Sequence, residues 1–240
     1  MSEIEKKDNR VKLYGVIIGL VTLALQHGFY LLGHLIASLA GFEPFLPKIP
    51  LIDDAIMIVP IFIIPYIWSY AYWAMAPMAV SKCKFDHFLD YLASYLIACV
   101  IGCLILSFAP SYMDRVAEGL YDVNNKGFFY DLTRFWYSLD GTKVAYNLFP
   151  SFHCLNSTIS FLGVFRRKEI PLWYRIYSFV LTLTIYASTV FVKQHYFIDI
   201  IGGVLIGVIA YIVSERWHLG RMFLKPIARV KGWFHKEKAA

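Results

Sequence analysis

His195 and Asp199 stand four residues apart, so a helix places both side chains on one face. A carboxylate accepting from one imidazole nitrogen fixes the tautomer and leaves the other nitrogen free as a nucleophile. Earlier in the chain, Pro150-Ser151-Phe152-His153 reads as a helix start, with Ser151 as a candidate N-cap. Uncommitted N–H groups in a first helical turn form an anion site. His153 then lies beside any bound phosphate, where an imidazolium can protonate a leaving alcohol. Ser188 adds a hydroxyl just before the His195 run. His-x-x-x-Asp spacing also suits a metal site or a structural pair, and Ser151 and His153 also suit a plain cap and an interfacial residue. The residues by themselves leave these alternatives open.

The elements that must position these residues are membrane helices. Of 240 residues, 58% are hydrophobic and 18% aromatic, and the mean hydropathy of +0.55 exceeds globular usage, so the chain reads as an integral membrane protein. Crossing the hydrocarbon takes roughly 20 apolar residues in a helix. Six stretches qualify, at about 14 to 38, 55 to 76, 88 to 109, 151 to 165, 172 to 192 and 196 to 214. The expected fold is all-α, with six transmembrane helices, an outer-side active site and an ordered extracytoplasmic loop. The hairpin of the fourth and fifth spans returns both histidine motifs to one side of the bilayer. An Asp inside a span costs about 2.5 to 3.5 kcal/mol at mid-bilayer, which argues for a partner and a purpose for Asp199.

Lys and Arg set the orientation. With the N-terminus in the cytoplasm, seventeen fall on inner segments and six on outer ones, so both termini are expected inside and both motifs outside. The formal charge of +6 is concentrated on the inner side. The basic stretch 216–240, interleaved with aromatics, reads as a cytoplasmic amphipathic tail on an anionic leaflet, following a membrane catalytic domain at 1–215. Nucleic acid is not an expected partner; the bilayer and a lipid phosphate are. The first apolar run is too long for a signal-peptide core and reads as a retained helix. Cys83, Cys99, Cys103 and Cys154 lack C-x-x-C spacing and imply neither a disulfide framework nor a zinc site. The segment 110–150 mixes charges with aromatics and reads as an ordered lid.

Taken together, the motifs resemble the type 2 phosphatidic acid phosphatase and haloperoxidase superfamily. Its pattern is Lys-x6-Arg-Pro, Pro-Ser-Gly-His and Ser-Arg-x5-His-x3-Asp. The resemblance implies that His195 forms a phosphohistidine, Asp199 orients it, His153 is general acid and then base, and Ser151 and Ser188 belong to the phosphate site, with no metal or other cofactor. It is specific over about 125 to 203. Phe152 stands at the family's Gly, Thr189 at its Arg, and seven residues separate Lys126 from Arg134, which Phe135 follows in place of Pro. In motif style the chain is similar to inositol phosphorylceramide synthase and sphingomyelin synthase. Arg134, Lys143 and Lys193 are the candidates to replace the missing phosphate clamp.

The implied activity is a lipid-phosphate phosphatase, with phosphotransfer to an alcohol as the alternative; a non-catalytic lipid-binding scaffold or a transporter is the alternative of another class. His27 and His34 share a face of the first span and are expected to pair with backbone or head groups. Asp53 and Asp54 sit at the outer entrance of the second span, as head-group contacts or helix-end charges. Gly202, Gly203 and Gly207 are expected to admit close helix packing.

Overall fold

The computed structural model describes residues 11–138 and 143–224. Among these residues eight α-helices follow in chain order: α1 Leu13–Ala40, α2 Pro50–Asp53, α3 Ile63–Val80, α4 Phe85–Phe108, α5 Phe128–Ser138, α6 Phe152–Val164, α7 Leu172–Phe191 and α8 Phe197–Trp217. All but α2 and α5 fall at the six positions expected from hydropathy. Three of them, α1, α4 and α8, are long and apolar enough to cross a membrane. α6 is much shorter, since 13 residues rise only about 20 Å. α3 begins later than expected because Pro60 opens a 3-10 turn, Pro60–Phe62, and Val59 donates instead to Phe191 O at 3.0 Å.

The molecule is mostly helical, but the segment between α4 and α6 also carries two short strands. Strands β1 Tyr112–Asp114 and β2 Val144–Tyr146 pair antiparallel, with Tyr112 opposite Tyr146. This ribbon departs from an all-α fold. Its cause is local: Met113 and Ala145 point inward on alternate positions and pack with Leu148 and Tyr196. The loop is thereby tied to the start of α8.

The bundle has an inverted surface. Apolar side chains such as Leu25, Leu32, Leu104, Val180, Leu205 and Ile209 face outward, while Gln26, Ser69, Ser94, Asn156, Ser157 and Thr182 are buried. Such a continuous apolar exterior marks a lipid-facing surface. α4 lies at the centre, packed on α1 and α8, and α8 packs in turn on α6. A β-carbon at Gly203 would collide with Ser151 O and Cys154 Cβ, so glycine lets α8 approach the first turn of α6. Gly207 does the same against Thr158. α8 continues through Trp217, two residues past the expected end of the membrane domain at 215. His218 ends it in the left-handed conformation, and a 3-10 turn, Leu219–Phe223, follows. Most of the basic tail expected at 216–240 lies outside the described residues.

Candidate active site

Two chain reversals build the site. Between α7 and α8, residues 192–196 turn sharply, with Lys193 at φ 52, and Gln194 and His195 both donate their backbone N–H to Thr189 O. The turn aims the His195 ring at the first turn of α8. There Asp199 Oδ2 lies 3.3 Å from His195 Nδ1 and accepts the Tyr196 N–H at 2.9 Å. The backbone bond is half of a capping box, so one carboxylate both starts the helix and orients the ring. Its other oxygen, Oδ1, is buried with no hydrogen-bond partner among the described residues.

The second reversal starts α6. Ser151 Oγ accepts the Cys154 N–H at 3.3 Å, the cap expected from the sequence, and Ser151 N–H donates to Asp199 O at 3.0 Å. That backbone bond joins the two motifs. The rings of His153 and His195 come to 6.1 Å between centroids. His153 is stacked on Tyr66 at 4.2 Å and meets the edges of Tyr70 and Trp73 at 5.6 and 5.0 Å. This aromatic cage fixes the ring but leaves Nε2 buried without a hydrogen-bond partner among the described residues. His153 is 8% exposed and His195 6%, so a group between them would be largely shielded from water.

His195, Asp199, His153 and Ser151 are therefore brought together. Ser188 is fully buried and donates its hydroxyl to Ile185 O at 2.7 Å, within α7. Lys193 is buried but engaged: Nζ lies 3.3 Å from Glu118 Oε2 and 3.2 Å from Asp53 O. The other two clamp candidates, Arg134 and Lys143, make the following contacts among the described residues. Arg134 donates through Nη2 to Leu120 O at 3.1 Å and to Asn125 O at 2.6 Å, closing the loop before α5. Lys143 is exposed, and its carbonyl accepts the Arg115 N–H at 2.9 Å. Neither contact reaches a histidine.

Arg115 is the cation that sequence reasoning passed over. It is fully buried, donates through Nη2 to Gln194 Oε1 beside His195, and lies 4.0 Å over the Tyr137 ring. Tyr137 in turn meets Tyr66, the ring that carries His153. Asp114 and Glu118, the neighbours of Arg115 in sequence, let it read equally well as one charge of a polar loop. Asp53 lies at the end of α2, and its carboxylate accepts the N–H groups of Ile49 and Phe197 at 2.7 and 2.8 Å. It thus pins the start of α8. His34 pairs its Nδ1 with the Asn147 side chain at 2.8 Å and steadies the approach to Pro150, whereas His27 only stacks on Tyr30. Among the described residues, no three His, Cys, Asp or Glu side chains converge as a metal site.

Two imidazoles facing each other, one oriented by a carboxylate, can accept and release a phosphoryl group. The PAP2 superfamily model matches residues 43–213, which include every residue of this site, and the chain belongs to that superfamily. No curated protein matches the chain, and no solved structure does.

Proposed function

We propose that this member of the PAP2 superfamily hydrolyses a membrane lipid phosphate, a phospholipid or a polyprenyl phosphate, through a phosphohistidine at His195. Membership carries phosphatase-type chemistry on lipid phosphates in general terms. The observation that carries the finer reading is the 6.1 Å pairing of His195, oriented by Asp199, with His153, whose Nε2 lacks a partner among the described residues. In the first step His195 Nε2 attacks phosphorus, the bond from phosphorus to the lipid oxygen breaks, and His153 gives that oxygen its proton. Asp199 holds the Nδ1 proton throughout. In the second step the neutral His153 takes a proton from water, the water oxygen attacks phosphorus, and the P–N bond breaks to release phosphate.

Charge on the phosphoryl oxygens must be met by donors already in place. Ser151 with the first-turn N–H groups of α6 supplies one side. Arg115 replaces Arg134 as the favoured guanidinium, because it is buried and bonded next to His195. Lys193 contributes if Glu118 yields it. Six spanning helices with both termini cytoplasmic and the site outward form part of the same proposal, supported by the seventeen-to-six charge division. A second reading, transfer to an alcohol as in inositol phosphorylceramide or sphingomyelin synthases, is supported by Phe152 and Thr189, which depart from the phosphatase pattern.

The test is phosphate release from phosphatidic acid or a polyprenyl diphosphate by purified protein in detergent, with EDTA present. Wild type should turn over and His195→Ala should not. Activity that disappears with EDTA and returns with zinc would make the same residues metal ligands and end the phosphohistidine account.

A further inference from the structure

Lys193 of the His195 turn lines an open cavity of about 430 Å³. Its polar wall is Lys48, Asp54, Glu118, Asn125, Tyr130 and Lys193, and the apolar stretch 56–58 forms one edge. The size falls within the range of small-molecule sites, roughly 300–1,000 Å³. The charges in the wall are matched to one another. Lys48 Nζ lies 2.6 Å from Asp54 Oδ1 and 2.7 Å from Glu118 Oε1, and Lys193 Nζ lies 3.3 Å from Glu118 Oε2. Tyr196 donates its hydroxyl to Glu118 Oε1 at 3.0 Å. The two carboxylates raise the Lys48 pKa, Asp54 contributing most, and keep it charged.

This pattern selects a ligand by its chemistry. A free anion must displace the Glu118 carboxylate, buried to 5% side-chain exposure, from two ammonium groups at once. A free cation meets Lys48 at 21% exposure. A hydroxyl disturbs neither pair, because it donates to a carboxylate and accepts from an ammonium group at the same time. Two neighbouring hydroxyls satisfy Asp54 and Lys48 together, and Tyr130 adds an aromatic ring to the wall, with the Arg134 guanidinium 5.8 Å from its centroid. Lys193, which lines the cavity, and Tyr196, which bonds Glu118 in its wall, belong to the same turn as His195.

We propose that this cavity is a subsite for a neutral polyhydroxyl group, carried as the head group of the donor lipid or arriving as a free acceptor alcohol. The proposal rests on the phosphohistidine reading only for what happens next. A bound acceptor places a hydroxyl oxygen for attack on phosphorus, the P–N bond to His195 breaks, and the hydroxyl proton passes to His153. A bound head group is instead the leaving alcohol: His195 attacks phosphorus, the bond from phosphorus to the head-group oxygen breaks, and His153 gives that oxygen its proton.

Binding is tested first, without reference to chemistry, by saturation-transfer NMR on the detergent-solubilised full chain with glucose, glycerol, choline and inorganic phosphate. Glucose and glycerol should receive saturation from the protein, and Lys48→Met should weaken it tenfold or more while Lys48→Arg retains most of it. Tyr130→Ala, on a different element, should weaken glucose more than glycerol and serves if Lys48→Met does not fold. The chemical arm adds glucose to turning-over enzyme: glucose phosphate marks an acceptor site, and competitive inhibition of His195 labelling marks a head-group site. Selective binding of phosphate or choline, or polyol binding that both Lys48→Met and Tyr130→Ala leave unchanged, overturns the subsite. Polyol binding that both variants weaken, in a protein whose His195 never labels, keeps the subsite and overturns the phosphohistidine reading instead.

Discussion

Two histidine–carboxylate pairs lie at opposite ends of one helix, and they are built differently. Asp199 and Glu215 are sixteen residues apart on α8, about 24 Å. At the Glu215 end, both nitrogens of His87 are in use: Nδ1 faces Glu215 at 3.2 Å and Nε2 faces Gly163 O at 2.8 Å, with Arg167 on the same carboxylate. Nearby, Asp90 meets His218 and takes the Gly220 N–H, so both its oxygens are occupied. At the Asp199 end, by contrast, one carboxylate oxygen and the Nε2 of His153 have no partner among the described residues. Buried polar groups are normally satisfied. A histidine held by aromatic faces, beside one held by a carboxylate, fits the proposed phosphoryl site; a histidine with both nitrogens bonded holds helices together.

Substituting the two ends should separate these roles. His195→Ala should reduce phosphate release roughly 10⁴-fold, about 5.4 kcal/mol in barrier, with the fold retained by circular dichroism. His87→Ala should do the reverse: its turnover should stay within a few-fold of wild type while thermal stability falls, since a buried carbonyl and an ion pair lose their partner, typically about 1–3 kcal/mol. An inactive but fully stable His87→Ala protein would erase the distinction.

The distinction sharpens with the leaving group. His153→Ala should lower turnover of a lipid phosphate about 10²- to 10⁴-fold, the usual range for general acid catalysis. With p-nitrophenyl phosphate, whose leaving group needs no proton, His195 should still label at close to the wild-type rate, followed by slow phosphate release. Equal losses for both substrates would show that His153 only supports the fold.

A smaller effect is expected from the cations. Arg115→Ala should cost about 10²-fold in kcat, roughly 2.7 kcal/mol, mainly by removing charge beside His195. Arg134→Ala should cost less, because its donors close the loop at Leu120 and Asn125 rather than reach the phosphate. If Arg134→Ala is the more damaging, the assignment made from the fold is wrong and that made from spacing is right.

That contrast also shows what could be read from the sequence. The positions of the helices follow from hydropathy, and His195, Asp199, Ser151 and His153 follow from local spacing, because each motif is read within one turn or cap. Their meeting required only that a two-helix hairpin bring both motifs to the same side. The Arg115–Gln194 contact was not legible, since it spans seventy-nine residues and nothing in the neighbourhood of Arg115 announces it. Glu118 was hidden for the same reason: its partners Lys48, Lys193 and Tyr196 are scattered along the chain. The β1–β2 ribbon was missed because two three-residue strands carry too little alternation to stand out.

The central claim is that phosphorus becomes bonded to His195. Rapid quench of the enzyme with ³²P-labelled lipid phosphate, alkaline digestion and mass spectrometry of the peptide containing 193–199 tests it directly. Acid-labile, base-stable label on His195 in wild type, longer-lived in His153→Ala and lost in His195→Ala, is the predicted result. Label on any other residue, or full turnover with no labelled enzyme at any quench time, contradicts it.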